Sequence, residues 1–361
     1  MRAIQLLVVG IIAGAAATPL ETLAEAKGMA KQEASTALQL PSEGALPSLG
    51  GATAWLNSGP LSPGDLRGKV VVVDVWTYTC INWLRTEPYV RAWAQKYKGQ
   101  GLVVIGVHSP EFPFEHNVDN VRRAATDMHV VYPIAIDNDF AVWKALDNQY
   151  WPSLYIVDAQ GRIRHHQFGE GGYEQSERII QRLLLEAGNG GVGHGLATVD
   201  ARGIEASPDW NNLKSPENYV GYDRTENFAS SGGPLRDRSR VYAVPARLSL
   251  NHWALAGDWT MTPRAVVLNK PNGRIAYRFH ARDLHLVMGP PTGGGNVRFR
   301  VLIDGRPPGA AHGADVDDQG FGTADFQRLY QLIRQSAPIA DRTFEIEFLD
   351  PGVEAYAFTF G

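Results

Sequence analysis

The hydrophobic pattern of the chain changes character near its middle. Residues 70–75 form a β-branched run broken only by Asp74, and 102–107 form a second apolar run; both predict strands buried on two faces. Between them, 80–98 places Leu84, Tyr89, Val90, Trp93 and Tyr97 on one broad apolar face, which predicts a helix. A second helix is predicted over 117–128. A third strand over 150–157 is turned by Asp158-Ala159-Gln160-Gly161 into a partner over 162–168, and a closing helix over 173–187 stops at Gly188. Strand–helix–strand units followed by a hairpin and a helix describe a small α/β domain, bounded at 46–188. After a glycine-rich linker, 189–204, short alternating runs recur between Gly, Pro and Asn/Asp turns, at 274–280, 283–288, 296–303, 343–349 and 353–360. That texture predicts an all-β sandwich, jelly-roll-like, over 205–361.

The length of 361 residues accommodates two such domains. Lys and Arg number 34 against 38 Asp and Glu, so no basic excess points to a nucleic-acid surface. The N-terminus changes the picture more. Arg2 precedes an apolar, small-residue stretch over 4–17, and Ala15-Ala16-Ala17 and Ala24-Glu25-Ala26 both fit a cleavage site. We expect a signal peptide over 1–26, a linker over 27–45, and a periplasmic or secreted protein that is not integral to the membrane once processed. An uncleaved anchor is the alternative. Export implies an oxidising compartment. A single cysteine, Cys80, excludes an internal disulfide and leaves either a buried passenger or a reactive thiol.

Cys80 follows the first predicted strand and opens the first predicted helix. Unpaired backbone N–H groups and the positive end of the helix dipole favour a thiolate there. Around it, Asp74 lies six residues before Cys80, Trp76 four before, and Pro88 eight after, and Trp151-Pro152 precedes a later strand. With these spacings the chain resembles the thioredoxin superfamily, as a redoxin of the TlpA/ResA and AhpC-TSA kind. The stretches Trp-Thr-Tyr-Thr-Cys-Ile-Asn, Gly106 to Phe112 and Phe168-Gly169-Glu170-Gly171 resemble the extracytoplasmic part of DipZ-type proteins, over about 50–361. The resemblance implies a thioredoxin-like domain followed by a module similar to carbohydrate-binding modules. It implies a buried carboxylate at Asp74 and a cis-proline ledge at Trp151-Pro152 for substrate. Electrons would come from a separate partner, because DipZ-type proteins carry a membrane domain that this chain does not contain.

The motif departs from the family pattern in one place. Cys-x-x-Cys becomes Cys80-Ile81-Asn82-Trp83. A dithiol reductase resolves its mixed disulfide with the second thiol, and an indole cannot. Three readings remain open: a single-cysteine thiol oxidoreductase or antioxidant resolved by an external thiol, a one-cysteine peroxidase in which Thr77 orients the oxidant, and a catalytically silent binding module for proteins or glycans. The candidate catalytic residues are Cys80, Asp74 and Thr77. Candidate substrate contacts are Trp83, expected to cover the helix start and shield Cys80, together with Trp151, Pro152, His108 and Glu111. His108 ends the second strand, where it is either a base for Cys80 or a structural residue. The expected partners are a thiol or disulfide protein, a low-molecular-weight thiol, and a glycan if Trp253, Trp259, Tyr277, Phe299, Phe321 and Tyr330 include an exposed platform. His165 and His166 point to opposite faces of a strand, and no zinc, phosphate-loop or dinucleotide pattern is present, so no metal and no cofactor are expected.

Overall fold

Val70–Trp76 (β2) has no residue that reaches solvent, which is why its sequence shows no alternation. In the computed structural model, which describes residues 40–291 and 293–361, this strand lies inside a six-stranded sheet. The other strands are Ala54–Leu56 (β1), Leu102–His108 (β3), Ile134–Ile136 (β4), Ser153–Val157 (β5) and Ile163–Phe168 (β6), in the order β1-β4-β3-β2-β5-β6. β2 runs parallel to β3 and antiparallel to β5, with Trp76 beside His108 and Asp74 beside Gly106. The helices are Pro63–Leu66 (α1), Ile81–Tyr97 (α2), Val118–Asp127 (α3), Ala141–Ala145 (α4) and Tyr173–Glu186 (α5). α5 packs on β2, β5 and β6. β1, β4, α1 and α4 are too short to show a period, and sequence patterning passes over them. The predicted strand over 150–157 begins only at Ser153, because the chain first passes through a cis peptide at Trp151-Pro152.

The C-terminal part is an antiparallel sheet of 11 strands among the described residues, curled so that its two halves enclose one core. All five runs expected from alternation are strands there: Gly273–Phe279, Asp283–Gly289, Val297–Ile303, Arg342–Phe348 and Glu354–Phe360. The strand Trp253–Met261 makes the corner. Its first half pairs with Gly273–Phe279, and its second half with Val266–Leu268 and Ser239–Tyr242. Gly257 lies at the turn of this strand with φ of 95°, where a Cβ would stand 3.0 Å from the Cα of Gly273.

Residues 42–361 form one compact unit. Phe112 and Phe114 pack against Tyr356, with ring centroids 5.1 and 4.9 Å apart. The Tyr78 hydroxyl donates to the carbonyl of Gln327 at 3.3 Å. Arg85, 3% exposed, donates to Glu170 and to the carbonyl of Phe360, each at 3.1 Å. α2 is therefore buried on its polar side as well as its apolar side, which its sequence alone does not predict. Residues 43–46 pair by backbone hydrogen bonds with 161–163, and Glu177 of α5 accepts from the backbone of Ala197. The expected leader, 1–26, lies outside the described residues.

Candidate redox site

Between β2 and α2 the backbone N–H of Cys80 donates to the carbonyl of Thr77 at 3.2 Å, and Leu84 returns a hydrogen bond to the Cys80 carbonyl at 3.0 Å. Cys80 is thus the N-cap of α2, with extended φ and ψ and no side-chain capping bond. Its half-buried thiol donates to the carbonyl of Trp151 at 3.8 Å, next to the cis bond to Pro152. Trp151 is itself held in place. Its indole donates to the carbonyl of Ser109 at 3.0 Å and its ring lies 4.3 Å from that of Trp143. The Cys80 sulfur and the Trp151 carbonyl thus meet beside the cis bond.

The charge state of the thiol differs from the expectation. Burial pushes the Cys80 thiol well above its ordinary range, the charges of Glu217 and Glu111 push it the same way, and backbone N–H groups of Trp83 and Asn82 only partly pull it back. The helix terminus acts in the predicted direction, but desolvation outweighs it, so the protonated thiol is the resting form at neutral pH.

Trp83 occupies the second motif position and turns inward, toward Trp76 and Asp74. It has no exposed surface, stacks on Trp76 with centroids 4.1 Å apart, and donates its indole N–H to Asp74 Oδ2 at 2.9 Å. A buried indole needs both a large apolar contact and an acceptor, and Trp76 and Asp74 supply them. Trp83 therefore makes no substrate contact in this arrangement. Asp74 is pushed up to about 7 by burial, against the hydrogen bonds from Trp83 and Tyr132. The Tyr132 hydroxyl, with one proton to give, also lies 3.1 Å from Oε2 of buried Glu87. The carboxyl of Asp74 thus faces an indole and a phenol, and among the described residues no hydrogen bond joins it to Cys80.

His108 and Thr77 are likewise fully buried. Among the described residues, neither ring nitrogen of His108 nor the Thr77 hydroxyl has a hydrogen-bond partner. His108 lies edge-on to Trp76 and stacks on Tyr78, with centroids at 4.9 and 5.9 Å. Burial pushes its imidazole down to about 3, so the ring is neutral and cannot reach a ligand. Glu111 turns away from His108 toward the C-terminal sheet, pairing with Arg224 at 2.9 Å and accepting from the Tyr219 hydroxyl.

Sequence reasoning missed Glu115. It is fully buried, accepts from the Thr79 hydroxyl at 2.6 Å and from the backbone of Glu111 and Phe112 at 2.7 and 2.8 Å, and is pushed up to about 7 by burial. It ties the 109–116 loop to the turn carrying Cys80. The signal was present, since Pro113 and Glu115 follow Phe112 as the N1 and N3 residues of a capped turn. Glu217, Tyr219, Arg224 and Arg264 had no local signal. A cleft of about 550 Å³ is lined by Pro110, Glu111, Trp151, Tyr219, Arg224 and Arg264. Trp151, whose carbonyl meets the Cys80 sulfur, is part of that lining.

Residues 43–184 match the family described as Redoxin, and 215–361 match the one described as Thioredoxin like C-terminal domain. The protein DipZ of Mycobacterium bovis and of Mycobacterium tuberculosis is 35% identical over 330 residues, covering 90% of this chain and 44% of DipZ. The chain thus spans less than half the length of those relatives. The thiol-disulfide oxidoreductase YkuV of Bacillus subtilis is 32% identical over 142 residues, covering 39% of this chain and 95% of YkuV. Among solved structures, a thioredoxin-like protein in the oxidised form is 30% identical, with 41% of this chain and 99% of that chain covered and a TM-score of 0.37. A cysteine capping the helix that follows a central strand, a cis-proline beside its sulfur, and the sequence relatives agree: the chain belongs to the thioredoxin superfamily, with a redoxin domain followed by a C-terminal all-β domain.

Proposed function

We propose that this chain is an exported single-cysteine thiol oxidoreductase that works by thiol–disulfide exchange, with domains at 46–188 and 205–361. The observation that carries the reading is the sole thiol of the chain, half-buried at a helix N-terminus and set against the carbonyl that precedes a cis-proline. Cys80 is the nucleophile and Trp151-Pro152 the ledge along which a disulfide substrate lies. The Cys80 sulfur attacks one sulfur of the substrate and the other leaves as a thiol; a second, external thiol then releases Cys80. Substrates and partners are protein or low-molecular-weight thiols and disulfides. Export rests on the sequence of residues 1–26; among the described residues, no helix is long and apolar enough to cross a membrane.

A second reading, a thiol-silent binding module, draws on the raised Cys80 thiol and on the indole closing off Asp74. The peroxidase reading gains no support from a Thr77 hydroxyl with no exposed surface. A glycan platform gains little: Trp253, Trp259, Tyr277, Phe299 and Tyr330 are core residues, and only Phe321, at 45%, is exposed. Exposure of the native protein to a small aromatic disulfide is expected to trap a mixed disulfide on Cys80 that added thiol reverses. No adduct until the protein is unfolded rules exchange out and leaves the binding module. Trp83→Cys is expected to gain insulin-type disulfide reductase activity, since the scaffold then carries both thiols; a folded variant without that gain means that more than the resolver has been lost.

A further inference from the structure

Phe140 stands in a backbone that few aromatic residues adopt. It precedes α4 with φ of 57° and ψ of 29°, the left-handed region in which a bulky side chain is strained. The conformation is held on both sides: the Phe140 N–H donates to the carbonyl of Asp137 at 3.0 Å, and the Phe140 carbonyl accepts from Lys144 at 3.0 Å. The Asp137 carboxyl accepts in turn from the backbone of Val142 and Trp143, at 2.9 and 2.8 Å. A glycine adopts this backbone freely. The aromatic ring is kept there at a conformational cost, and strain of this kind clusters at ligand sites. Phe140 is half-buried, its ring lies edge-on to that of Trp143 at 6.0 Å, and it lines the cleft of about 550 Å³ together with Trp151. The C-terminal domain contributes Tyr219, whose ring carries the Arg224 guanidinium at 3.3 Å. By count, no sign predominates in the lining. The guanidinium groups of Arg224 and Arg264 are matched by the carboxyl groups of Glu111 and Asp223, and His116 is the other ionisable side chain. What distinguishes the cleft is its rings: Phe140, Trp151 and Tyr219 are each partly open to solvent.

We infer that Phe140 and Trp151, with Tyr219 of the C-terminal domain, form a subsite for an aromatic side chain of a polypeptide disulfide, close in sequence to its reacting cysteine. This rests on the thiol–disulfide exchange proposed above and names the substrate class of that site. Trp151 makes the connection, because its carbonyl meets the Cys80 sulfur and the residue also lines the cleft. A substrate sulfur bonded to Cys80 lies beside Trp151, so the residues flanking it in the substrate chain reach the cleft. Rings that meet offset or edge-on attract one another beyond the apolar area they bury. The volume of the cleft lies in the range of about 300–1,000 Å³ found for ligand sites. In the step itself, the Cys80 sulfur bonds to one sulfur of the substrate and the substrate S–S bond breaks. The displaced sulfur leaves as a thiol with the proton that Cys80 gives up. One disulfide replaces another, with no net oxidation or reduction. Phe140 and Tyr219 take no part in making or breaking bonds; they set which disulfide is held at Cys80.

The test uses the full chain and the symmetric disulfides of blocked pentapeptides, acetyl-Ala-X-Cys-X-Ala-amide, in which X is Phe, Leu, Ala, Asp or Lys. The rate of formation of the Cys80–peptide adduct is read by mass spectrometry. It is divided by the rate at which 2-mercaptoethanol attacks the same disulfide, which removes differences in intrinsic reactivity. The Phe peptide is expected to react fastest, about 10-fold ahead of the Ala peptide. Phe140→Gly relaxes the backbone and removes the ring, and is expected to bring the Phe-to-Ala ratio to within about 2-fold of unity. Phe140→Tyr keeps the ring and is expected to keep the ratio. A wild type whose fastest peptide is not the Phe peptide, or a Phe140→Gly variant with the wild-type ratio, overturns the subsite and leaves the exchange function standing. Bis(2-hydroxyethyl) disulfide, which carries no ring, reports exchange by itself; a wild type that forms no adduct with it or with any peptide overturns both.

Discussion

His108 shows how one buried side chain sets a pH limit. Its ring is packed between Trp76 and Tyr78 with both nitrogens unpartnered among the described residues, so protonation would strand a charge. The imidazole is held near 3 in the fold against 6.5 unfolded. Because the folded value is depressed, its contribution is fully present above pH 6.5 and is lost as pH falls toward 3, at most about 5 kcal/mol. Asp74 and Glu115 have the opposite sign. Their folded values are raised to about 7, so their contribution is largest below pH 4 and is lost as pH rises through 7. His108→Phe keeps the stack and drops the nitrogens. It is expected to leave stability at pH 7 within about 1 kcal/mol of wild type and to hold it better between pH 6 and 4, by urea denaturation at each pH. A loss above about 2 kcal/mol at pH 7 would mean that the ring nitrogens have a partner.

At the level of elements, β3 is built around its neighbour. Gly106, in the middle of the strand, faces the Trp76 indole, and a Cβ there would stand 2.7 Å from Trp76 Nε1 and 3.2 Å from a ring carbon of Tyr132. A glycine in a strand interior ordinarily weakens it. Here it makes room for the Trp76–Trp83 stack under the site. Gly106→Ala is expected to cost about 1–3 kcal/mol by overpacking, read from a denaturant midpoint, with a shift in the near-ultraviolet signal of the tryptophans. An unchanged midpoint would show that the stack has slack.

On the scale of the whole molecule, the redox turn and the C-terminal sheet share one interior. Arg85 leaves α2 to bond the carbonyl of Phe360, and burial lowers the stability of its charge while Glu170 restores it. Arg85→Met is expected to destabilise the chain by about 3 kcal/mol, because it leaves the Glu170 carboxylate and the Phe360 carbonyl without their donor. The change should appear in a single calorimetric transition if the two sheets unfold together. A second transition unaffected by the substitution would mean that they unfold separately.

Much of this site is legible along the chain. The β-branched run of β2, the periodic apolar face of α2, the cysteine between them and the missing second cysteine are all local facts. Local patterns suffice because strand and helix geometry repeat over two to four residues. The position of Trp151-Pro152 followed from spacing and resemblance together, and its carbonyl does meet the sulfur. Tertiary structure decided the rest. The inward turn of Trp83 depended on an acceptor on a neighbouring strand. The raised thiol of Cys80 depended on burial and on Glu111 and Glu217, the latter brought from far along the chain. The burial of Arg85 depended on a strand, Glu354–Phe360, that follows it by more than half the sequence. Desolvation and charge act through space, between residues that no sequence period connects. The sequence by itself therefore determined which side chains the site could hold, and the folded chain determined which of them carry charge.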